Sequence, residues 1–424
     1  MLDIKLVREN PELIREMLRK RGMSFPLDRL IDLDRTRRTL ITEVQRLKHQ
    51  RNVVSEEISN LKKQGVDIST KIAEMRELSN KILEMDANIR KVEEEFNNLM
   101  LQLPNLIHES VPEGKDENDN VVVRSWGSPP RFDFEPKDHI DLGLKLDLID
   151  LDRAGKVAGA RFYFLKGDLV LLNYALIRFA LEFMKARGFT LIQPPYMLKR
   201  EAMSGAIILS DFEDVIYKLE GEDLYLIGTS EHALAAMHMN EVLDGKVLPL
   251  RYTGISPCFR KEAGTHGRDT KGIFRVHQFE KVEQFVYCKP EDSWKEHELM
   301  INNAEEFFKQ LGIPYRVVLL CSGDMGKVAA KTYDLEAWFP GQGKYREVVS
   351  CSNCTDYQAR RLNIRYRDKP HEEPKFVHML NSTLVATERA LIAIMENYQQ
   401  KDGSIAIPQV LQPYMGGLKI IGSK

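Results

Sequence analysis

The residues best suited to chemistry lie in one segment of the chain, residues 259–283. Phe259-Arg260-Lys261-Glu262 is followed by a loop at residues 263–272 and then by the run IFRVHQFEKVE. Residues two apart share one face of a strand, so we expect Arg260 and Glu262 to point the same way. The same rule predicts a second row on the returning strand, made of Arg275, His277, Phe279, Lys281 and Glu283.

A sheet face of this composition meets the needs of a nucleotide and an amino acid bound side by side. Arginine guanidinium groups suit phosphate and carboxylate oxygens, and a carboxylate can hold an ammonium group. An aromatic ring such as that of Phe279 can stack on a base. The alternative is that the same residues form the solvated, charged face of a hairpin.

Other nucleotide and metal signatures are weak. The sequence has no GxxxxGK[ST] segment and no GxGxxG after a strand candidate, which argues against a P-loop and a doubly wound dinucleotide fold. Cys351 and Cys354 form a lone CxxC pair, whereas structural zinc usually takes four ligands. His371 and His378 follow outside the usual finger spacing. We expect two free thiols and no zinc; a zinc site is the alternative.

The elements that must position these residues lie in the second part of the chain. The strand candidates are residues 190–193, 224–227, 248–255, 281–288 and 315–321. The helix candidates are residues 169–187, 232–243, 293–311 and 384–399. Because strands and helices do not alternate regularly, this order favours an α+β domain built on an antiparallel sheet.

The clearest periodic pattern precedes this domain. An apolar residue recurs every seventh position from Leu33 to Leu61, and a second heptad series runs from Met75 to Leu103. Sustained heptads predict a coiled coil, and the break at residues 62–65 predicts an antiparallel hairpin over about residues 28–103. Each arm would be roughly 45 Å long at 1.5 Å per residue. A cap at Ser69 or Thr70 is expected, with a short helix at residues 10–21.

Basic side chains along the first arm and at its tip could bind RNA. They are Arg37, Arg38, Lys48, Arg51, Lys62 and Lys63. Arg37 and Arg51 occupy seam positions, where the stem can lie along the seam while the charged head reaches water. Because coiled coils mostly bind protein, the hairpin alone favours a protein-binding or dimerisation rod over an RNA-binding arm.

Bulk properties limit the class of protein further. The chain has 424 residues and a formal net charge of −2, so an RNA site would depend on local basic clusters. No apolar run approaches the roughly 20 residues that span a bilayer. Five cysteines in a chain of this length do not suggest a disulfide framework. These features favour a cytoplasmic protein.

Several segments of the chain resemble the motifs of one protein family, and they occur in the same order as in that family. The run FRKEAGTHGRDTKGIFRVHQFEKVEQ resembles motif 2 of the class II aminoacyl-tRNA synthetases, in the form found in seryl-tRNA synthetases. Residues 188–197, GFTLIQPPYM, resemble motif 1, and residues 228–231 resemble the TxE loop. Residues 347–354 resemble the metal and ATP strand, and residues 380–389 resemble motif 3. The hairpin resembles the tRNA-binding arm of this family.

The resemblance implies roles for individual residues. The catalytic arginines would be Arg260, Arg275 and Arg389. Serine would be bound by Thr229, Ser230, Glu231, Arg260, Glu283, Asn381 and Thr383. ATP would be bound by Arg260, Lys261, Glu262, Arg275, Val276, Phe279, Glu347, Val348, Val349, Ser350 and Arg389. Magnesium would be held with ATP by Glu347 and Ser350, and the six basic hairpin residues would bind tRNA.

The resemblance also implies an architecture and an activity. A tRNA-binding domain at residues 1–104 would be joined by an irregular connector at 105–138 to a class II catalytic domain at 139–424. The activity would be an ATP-dependent, AMP- and pyrophosphate-forming ligase for serine and tRNA(Ser), and for tRNA(Sec) where present. A homodimer is implied. Motif 3 departs from the family pattern because no glycine precedes Arg389, and Ser230 stands where alanine is frequent.

Two other functions fit parts of the pattern. A related ligase could charge a carrier protein in place of tRNA, although such relatives would lack the arm. A non-catalytic RNA-binding or scaffolding protein could retain the fold, although it would be expected to lose the three motif arginines. Serine-dependent exchange of pyrophosphate into ATP separates these alternatives.

Overall fold

The computed structural model describes residues 1–212, 214–262 and 271–422. Most of the loop at 263–272 therefore lies outside the described residues. The chain separates into two compact units. One comprises Met1–Arg19 and Met23–Leu103, and the other comprises Lys20–Gly22 and Pro104–Lys424.

The first unit is helical. Its helices are α1 (Ile4–Glu9), α2 (Pro11–Lys20), α3 (Leu27–Lys63) and α4 (Ser69–Gln102). The two long helices form the expected hairpin, and Leu47, Val54, Leu78 and Ile82 pack in its core. The predicted cap at Ser69 or Thr70 was wrong, because the N-cap of α4 is Ile68, and the Asp67 carboxylate accepts the backbone N–H of Ser69 at 2.9 Å.

Charged side chains are accommodated at the hairpin seam by local partners. The guanidinium of Arg37 lies 4.7 Å from the centroid of the Phe96 ring and 3.7 Å from Glu93. Asp34 is buried, with Arg8 at 2.8 Å and Arg38 at 3.1 Å. A buried charge requires such pairing, so these contacts stabilise the base of the hairpin.

The second unit is mixed. Its helices are α5 (His139–Lys145), α6 (Leu151–Ala158), α7 (Asp168–Ala186), α8 (Arg200–Ala206), α9 (Leu209–Phe212), α10 (Ser230–Ala236), α11 (Ser293–Leu311), α12 (Tyr357–Leu362) and α13 (Thr387–Asn397). The strands from β1 to β9 are β1 (Val121–Trp126), β2 (Ile149–Asp150), β3 (Phe164–Leu165), β4 (Thr190–Ile192), β5 (Met197–Leu198), β6 (Tyr225–Leu226), β7 (Val242–Asp244), β8 (Leu250–Phe259) and β9 (Gln278–Cys288). The others are β10 (Tyr315–Leu319), β11 (Lys331–Phe339), β12 (Lys344–Asn353), β13 (Arg365–Arg367), β14 (Lys375–Phe376), β15 (His378–Ala386), β16 (Ile405–Ala406) and β17 (Ile420–Ile421).

A large sheet dominates this unit. Its strand order is β1-β10-β11-β12-β15-β9-β8-β4. Every neighbouring pair is antiparallel except β4 and β8. Apolar residues of α7, α11 and α13 pack with buried residues of the sheet in the main hydrophobic core. The predicted α+β fold, with a helical hairpin ahead of an antiparallel sheet flanked by helices, is confirmed.

Three local predictions were wrong. The connector contributes β1, which pairs with β10 at the edge of the large sheet. The helix expected at 232–243 ends at Ala236, and it could not have reached 243, because Asn240 adopts a left-handed φ of 65° and residues 242–244 pair with β13. The helix expected at 384–399 begins at Thr387, because β15 continues to Ala386 in its pairing with β9. The described helices include none that is both long and apolar enough to cross a membrane.

Candidate active site

The site is built on one face of strand β9. Phe279, Lys281 and Glu283 alternate along it and therefore share that face. Their partners on β8 are Cys258, Ser256 and Gly254, which are all small. A Cβ atom at Gly254 would lie 2.6 Å from the Ser230 hydroxyl oxygen, so glycine allows the start of α10 to approach the strand. Because these three β8 residues are small, they leave open space on the sheet face next to the larger side chains of β9.

The strand does not extend as far as the sequence predicted. Because β9 begins at Gln278, Arg275 and His277 belong to the preceding turn, and the predicted single row of five side chains was wrong. Strand β8 ends at Phe259, so Arg260 and Glu262 also lie beyond regular pairing. Strand alternation therefore cannot explain how these four residues are oriented.

Specific contacts bring the residues beyond the strands together. Arg275 Nη1 donates to Glu262 Oε2 at 3.1 Å, and the backbone oxygen of Glu262 accepts from Arg161 at 3.3 Å. Glu262 has a φ of 51°, which is uncommon for a residue with a side chain and is often retained at functional sites. Arg275 Nε is buried and has no hydrogen-bond partner among the described residues.

Arg260 connects two parts of the site. Its guanidinium carbon lies 5.2 Å from the centroid of the Phe279 ring, and its Nε donates to the backbone oxygen of Gly228 at 3.1 Å. Lys261 lies over the ring of Tyr217, at 5.8 Å from its centroid. Arg260 therefore connects the ring of Phe279, the aromatic platform of the site, to the loop that precedes α10.

That loop and α10 form a polar pocket. Thr229 is the N-cap of α10, and its hydroxyl accepts the N–H of Glu231 at 3.2 Å. Glu231 Oε1 in turn accepts from the side-chain amides of Gln358 and Asn381, both at 3.1 Å. Burial, followed by the charge of Glu283, raises the pKa of Glu231 to about 7. Ser230 is fully buried.

Glu283 is the second carboxylate of the pocket. Its Oε2 lies 2.6 Å from Lys281 Nζ and accepts from the Thr383 hydroxyl at 3.2 Å. Thr383 pairs with Glu283 across the β15–β9 ladder, and Asn381 lies two residues earlier on the same face of β15. The predicted amino-acid residues are thus brought together, and Lys281 and Gln358 join them.

Strand β12 contributes oxygen ligands through a β-bulge. Leu335 pairs with Val349 but Glu336 pairs with Glu347, so Val348 is the extra residue. In a regular strand residues three apart point to opposite faces, whereas the bulge places Glu347 on the same face as Ser350. Asp334 pairs with Ser350 across the ladder. Its pKa is raised, first by burial and then by the charge of Glu347.

Arg389 lies beside this bulge. Its Nη1 donates to the backbone oxygen of Glu347 at 3.0 Å and lies 3.3 Å from the carboxylate. Desolvation opposes ionisation of Glu347, but the Arg389 charge prevails and lowers its pKa. The guanidinium also lies 4.7 Å from the centroid of the Phe274 ring. Val276 and Val349 are buried, so they support the site through packing and through the backbone.

Sequence reasoning missed Glu388, the residue before Arg389. Both of its carboxylate oxygens accept the N–H of Glu280 at 3.1 Å, and it also accepts from the Tyr163 hydroxyl. Glu280 lies between Phe279 and Lys281, so Glu388 ties the site face of β9 to the start of α13. The available signal in the sequence was a glutamate directly before a motif arginine.

The cysteine pair lies next to the pocket. Cys354 Sγ accepts from the Asn381 amide at 3.6 Å, and all five cysteines are free and buried. Burial raises the pKa of both Cys351 and Cys354, which keeps the thiols protonated. Within the described ranges no group of three or more His, Cys, Asp or Glu residues could hold a metal ion.

The predicted tRNA contacts of the hairpin fall into two groups. Arg38 and Lys48 form ion pairs with hairpin carboxylates at 3.1 and 3.2 Å, as Arg37 does with Glu93. Arg51 is half-buried. Lys62 and Lys63 are exposed at the end of α3, next to the turn into α4.

This antiparallel sheet, with its motif arginines and polar pocket, defines a class II aminoacyl-tRNA synthetase. Residues 215–398 match the class II core domain of the tRNA synthetases for G, H, P, S and T, and residues 1–107 match the seryl-tRNA synthetase N-terminal domain. The chain belongs to the seryl-tRNA synthetase family, and the resemblance seen in the sequence is confirmed.

Three relatives illustrate how far the similarity extends. The serine–tRNA ligase of Nitrosopumilus maritimus is 58% identical over 421 residues, which are 99% of this chain and 100% of the relative. The crystal structure of seryl-tRNA synthetase from Pyrococcus horikoshii complexed with ATP superposes with a TM-score of 0.93 at 52% identity, covering 99% of each chain. The cytoplasmic enzyme of Naegleria fowleri in complex with AMP has a TM-score of 0.87 at 45% identity and covers 99% of this chain and 98% of its own.

Proposed function

We propose that this chain, as a serine–tRNA ligase, activates serine with ATP and transfers it to tRNA at the face of β9. The serine carboxylate attacks the α-phosphate of ATP, giving seryl-adenylate and pyrophosphate. The terminal ribose hydroxyl of tRNA then attacks the acyl carbon, and AMP leaves. The observation that carries the proposal is Arg260, which contacts the Phe279 platform on one side and the Gly228 loop of the polar pocket on the other.

The nucleotide half of the site follows from these contacts. Phe279 stacks on adenine, and Arg260 binds the α-phosphate beside the serine carboxylate. Glu262, held by Arg275, accepts from the adenine amino group, and Arg275 offers a further phosphate contact. Arg389 binds the γ-phosphate. Catalysis then depends on positioning and on stabilisation of developing charge, so no side-chain nucleophile is needed.

The amino-acid half selects serine through its polar groups. Glu231 and Glu283 supply carboxylates for the ammonium and hydroxyl groups, while Thr229, Asn381 and Thr383 complete the pocket. A buried site built for a hydroxyl is left with unpaired groups when alanine or glycine binds, which can cost orders of magnitude in rate. The small pocket excludes threonine by its extra methyl group.

The residues of the β12 bulge fit magnesium. Glu347 and Ser350 offer oxygen donors on one face, and the buried Asp334 Oδ1 has no hydrogen-bond partner among the described residues. Magnesium prefers such oxygen ligands and usually shares them with substrate phosphates. When bound there, the ion would neutralise charge on the ATP phosphates, while Arg389 orients Glu347.

The helical hairpin is proposed to hold the long variable arm of tRNA(Ser), and of tRNA(Sec) where present. A protein of similar fold, the M. kandleri seryl-tRNA synthetase, has been solved in complex with A. aeolicus tRNA(Sec), which supports tRNA(Sec) as a partner. Lys62 and Lys63 are available for backbone contacts, which position RNA and do not read bases. The domain boundaries at 104 and 138 and the cytoplasmic location remain part of the proposal.

A homodimer is proposed to form near motif 1. On helix α7 the apolar side chains of Leu171 and Tyr174 are 53% and 61% exposed, and Phe164 on β3 is also exposed. Exposed apolar groups of this size commonly mark an interface. Light scattering after gel filtration tests the assembly, and a monomer at micromolar concentration would contradict it.

Serine-dependent exchange of pyrophosphate into ATP tests the activity, followed by charging of total tRNA. Exchange should require serine and magnesium, and charging should require the hairpin. Exchange with another amino acid, or with none, would overturn the proposal.

A further inference from the structure

The site face contains one buried cation that the proposed reaction does not use. Lys281 Nζ lies 2.6 Å from Glu283 Oε2, and the two side chains are only 8% and 2% exposed. A buried charge is costly unless it is paired, and removing one partner of such a pair leaves the other uncompensated. Lys281 also lies between Phe279 and Glu283 on β9, midway between the proposed adenine platform and the serine pocket.

Described residues contact only one of the two carboxylate oxygens of Glu283. Both Lys281 Nζ and the Thr383 hydroxyl approach Oε2. No described residue donates a hydrogen bond to Oε1, which leaves this oxygen as the acceptor for a ligand. A carboxylate accepts through both oxygens when ionised but turns one of them into a donor when protonated. The direction of hydrogen bonding to a ligand hydroxyl therefore depends on the charge of Glu283.

Other charged and titratable groups surround this pair. Glu231 on α10 brings a second carboxylate, and Arg260 beyond β8 brings a guanidinium that contacts Phe279 and Gly228. Burial raises the pKa of Cys258 on β8 to about 11 and raises that of Cys351 on β12, so both thiols are neutral. Among the described residues, Lys281 is the cation in direct contact with Glu283.

We propose that Lys281 is a positioning residue that determines specificity for serine, because its contact with Oε2 fixes the carboxylate of Glu283 so that Oε1 accepts the serine hydroxyl. This inference rests on the proposed function of the site. Lys281 acts through Glu283 and does not bind the substrate itself. Alanine gains nothing from a correctly held Oε1, so the lysine favours serine over alanine.

The test compares Lys281→Met and Lys281→Arg with the wild-type chain in pyrophosphate exchange, over a range of serine and ATP concentrations. In Lys281→Met the KM for serine should rise about tenfold or more, as expected for a lost charged hydrogen-bonding partner. The KM for ATP should stay within about twofold, because binding of the nucleotide does not use this pair.

Matched variants isolate the interaction. Lys281→Arg keeps the charge and should keep the KM for serine closer to the wild-type value than Lys281→Met does. In a Glu283→Gln background, which needs no counter-ion, Lys281→Met should add little to the KM for serine. Lys246→Met, at an exposed position, controls for the loss of a lysine charge.

Each outcome decides between the inference and its alternatives. An unchanged KM for serine in Lys281→Met would overturn the inference. An equal rise in the KM for ATP would also overturn it and would assign the lysine to the nucleotide. If Lys281→Met does not fold, as judged by thermal unfolding, equal rises in the KM for serine and the KM for ATP in Lys281→Arg would overturn the inference instead. Absence of serine-dependent exchange in the wild-type chain would refute the proposed function itself.

Discussion

The buried carboxyl of Glu388 gives a stability test with a defined pH window. Burial raises its pKa to about 7 from an ordinary value of 4.5, although hydrogen bonds from Tyr163 and Glu280 favour the ionised form. Because the folded value lies above the unfolded one, the contribution of this group is fully present below pH 4.5 and is lost as the pH rises through 7. The difference of 7 − 4.5 pKa units corresponds to about 3 kcal/mol.

The perturbation is Glu388→Gln, which removes the titration and keeps the shape of the side chain. The free energy of unfolding of the variant minus that of the wild type should rise by about 3 kcal/mol between pH 4.5 and pH 8. Urea unfolding followed by tryptophan fluorescence measures it. Trp126, Trp294 and Trp338 all belong to the second unit, so the signal reports on that unit alone.

Glu201→Gln, at an exposed position, is the control for the loss of one negative charge. The amide in Glu388→Gln also weakens the bond to Glu280, but that loss shifts the whole curve and does not change its dependence on pH. A difference between the two proteins that stays flat from pH 4.5 to 8 would refute the reasoning. It would mean that the hydrogen bonds offset the desolvation of Glu388.

Other expected outcomes concern activity. Glu283→Ala should nearly abolish serine-dependent pyrophosphate exchange, because the pocket loses its hydroxyl acceptor; near-normal exchange would refute that role. Replacing residues 33–99 with a short linker should spare exchange and destroy tRNA charging, whereas loss of both activities would make the hairpin structural. The double change of Lys62 and Lys63 to alanine should raise the KM for tRNA and reduce its salt dependence in charging assays, with exchange unaffected. Phe279→Ala should raise the KM for ATP about tenfold or more through lost stacking, which kinetics at saturating serine would measure.

The sequence predicts the hairpin well because its pattern is local. Heptads from Leu33 to Leu103 depend only on residues close in the chain, and the observed helices end within a few residues of the expected bounds. The amino-acid pocket is different. Glu231, Glu283 and Asn381 come from three elements that meet only after folding, so their roles came from the family resemblance and not from spacing.

Strand alternation predicted side-chain orientation correctly only where the strands are regular. Phe279, Lys281 and Glu283 share a face as expected, but Arg275 belongs to the turn before β9 and reaches the site through Glu262. The end of a strand depends on pairing partners elsewhere in the chain. A pattern of residues two apart cannot show where that pairing stops.

The β12 bulge, which positions the proposed metal ligands, is a second place where strand alternation does not predict side-chain orientation. Glu347 and Ser350 are three residues apart, so a regular strand would place one of them in the apolar core and could not form a shared site. Val348 resolves this by standing outside the ladder, and Glu336 then faces Glu347 while Asp334 faces Ser350. Two polar residues three apart, with two valines between them, are themselves a signal of a bulge. In a regular strand one of the two would face the core, and burying a carboxylate or a hydroxyl without a partner is costly. The site therefore depends on a backbone irregularity as much as on the identity of its side chains.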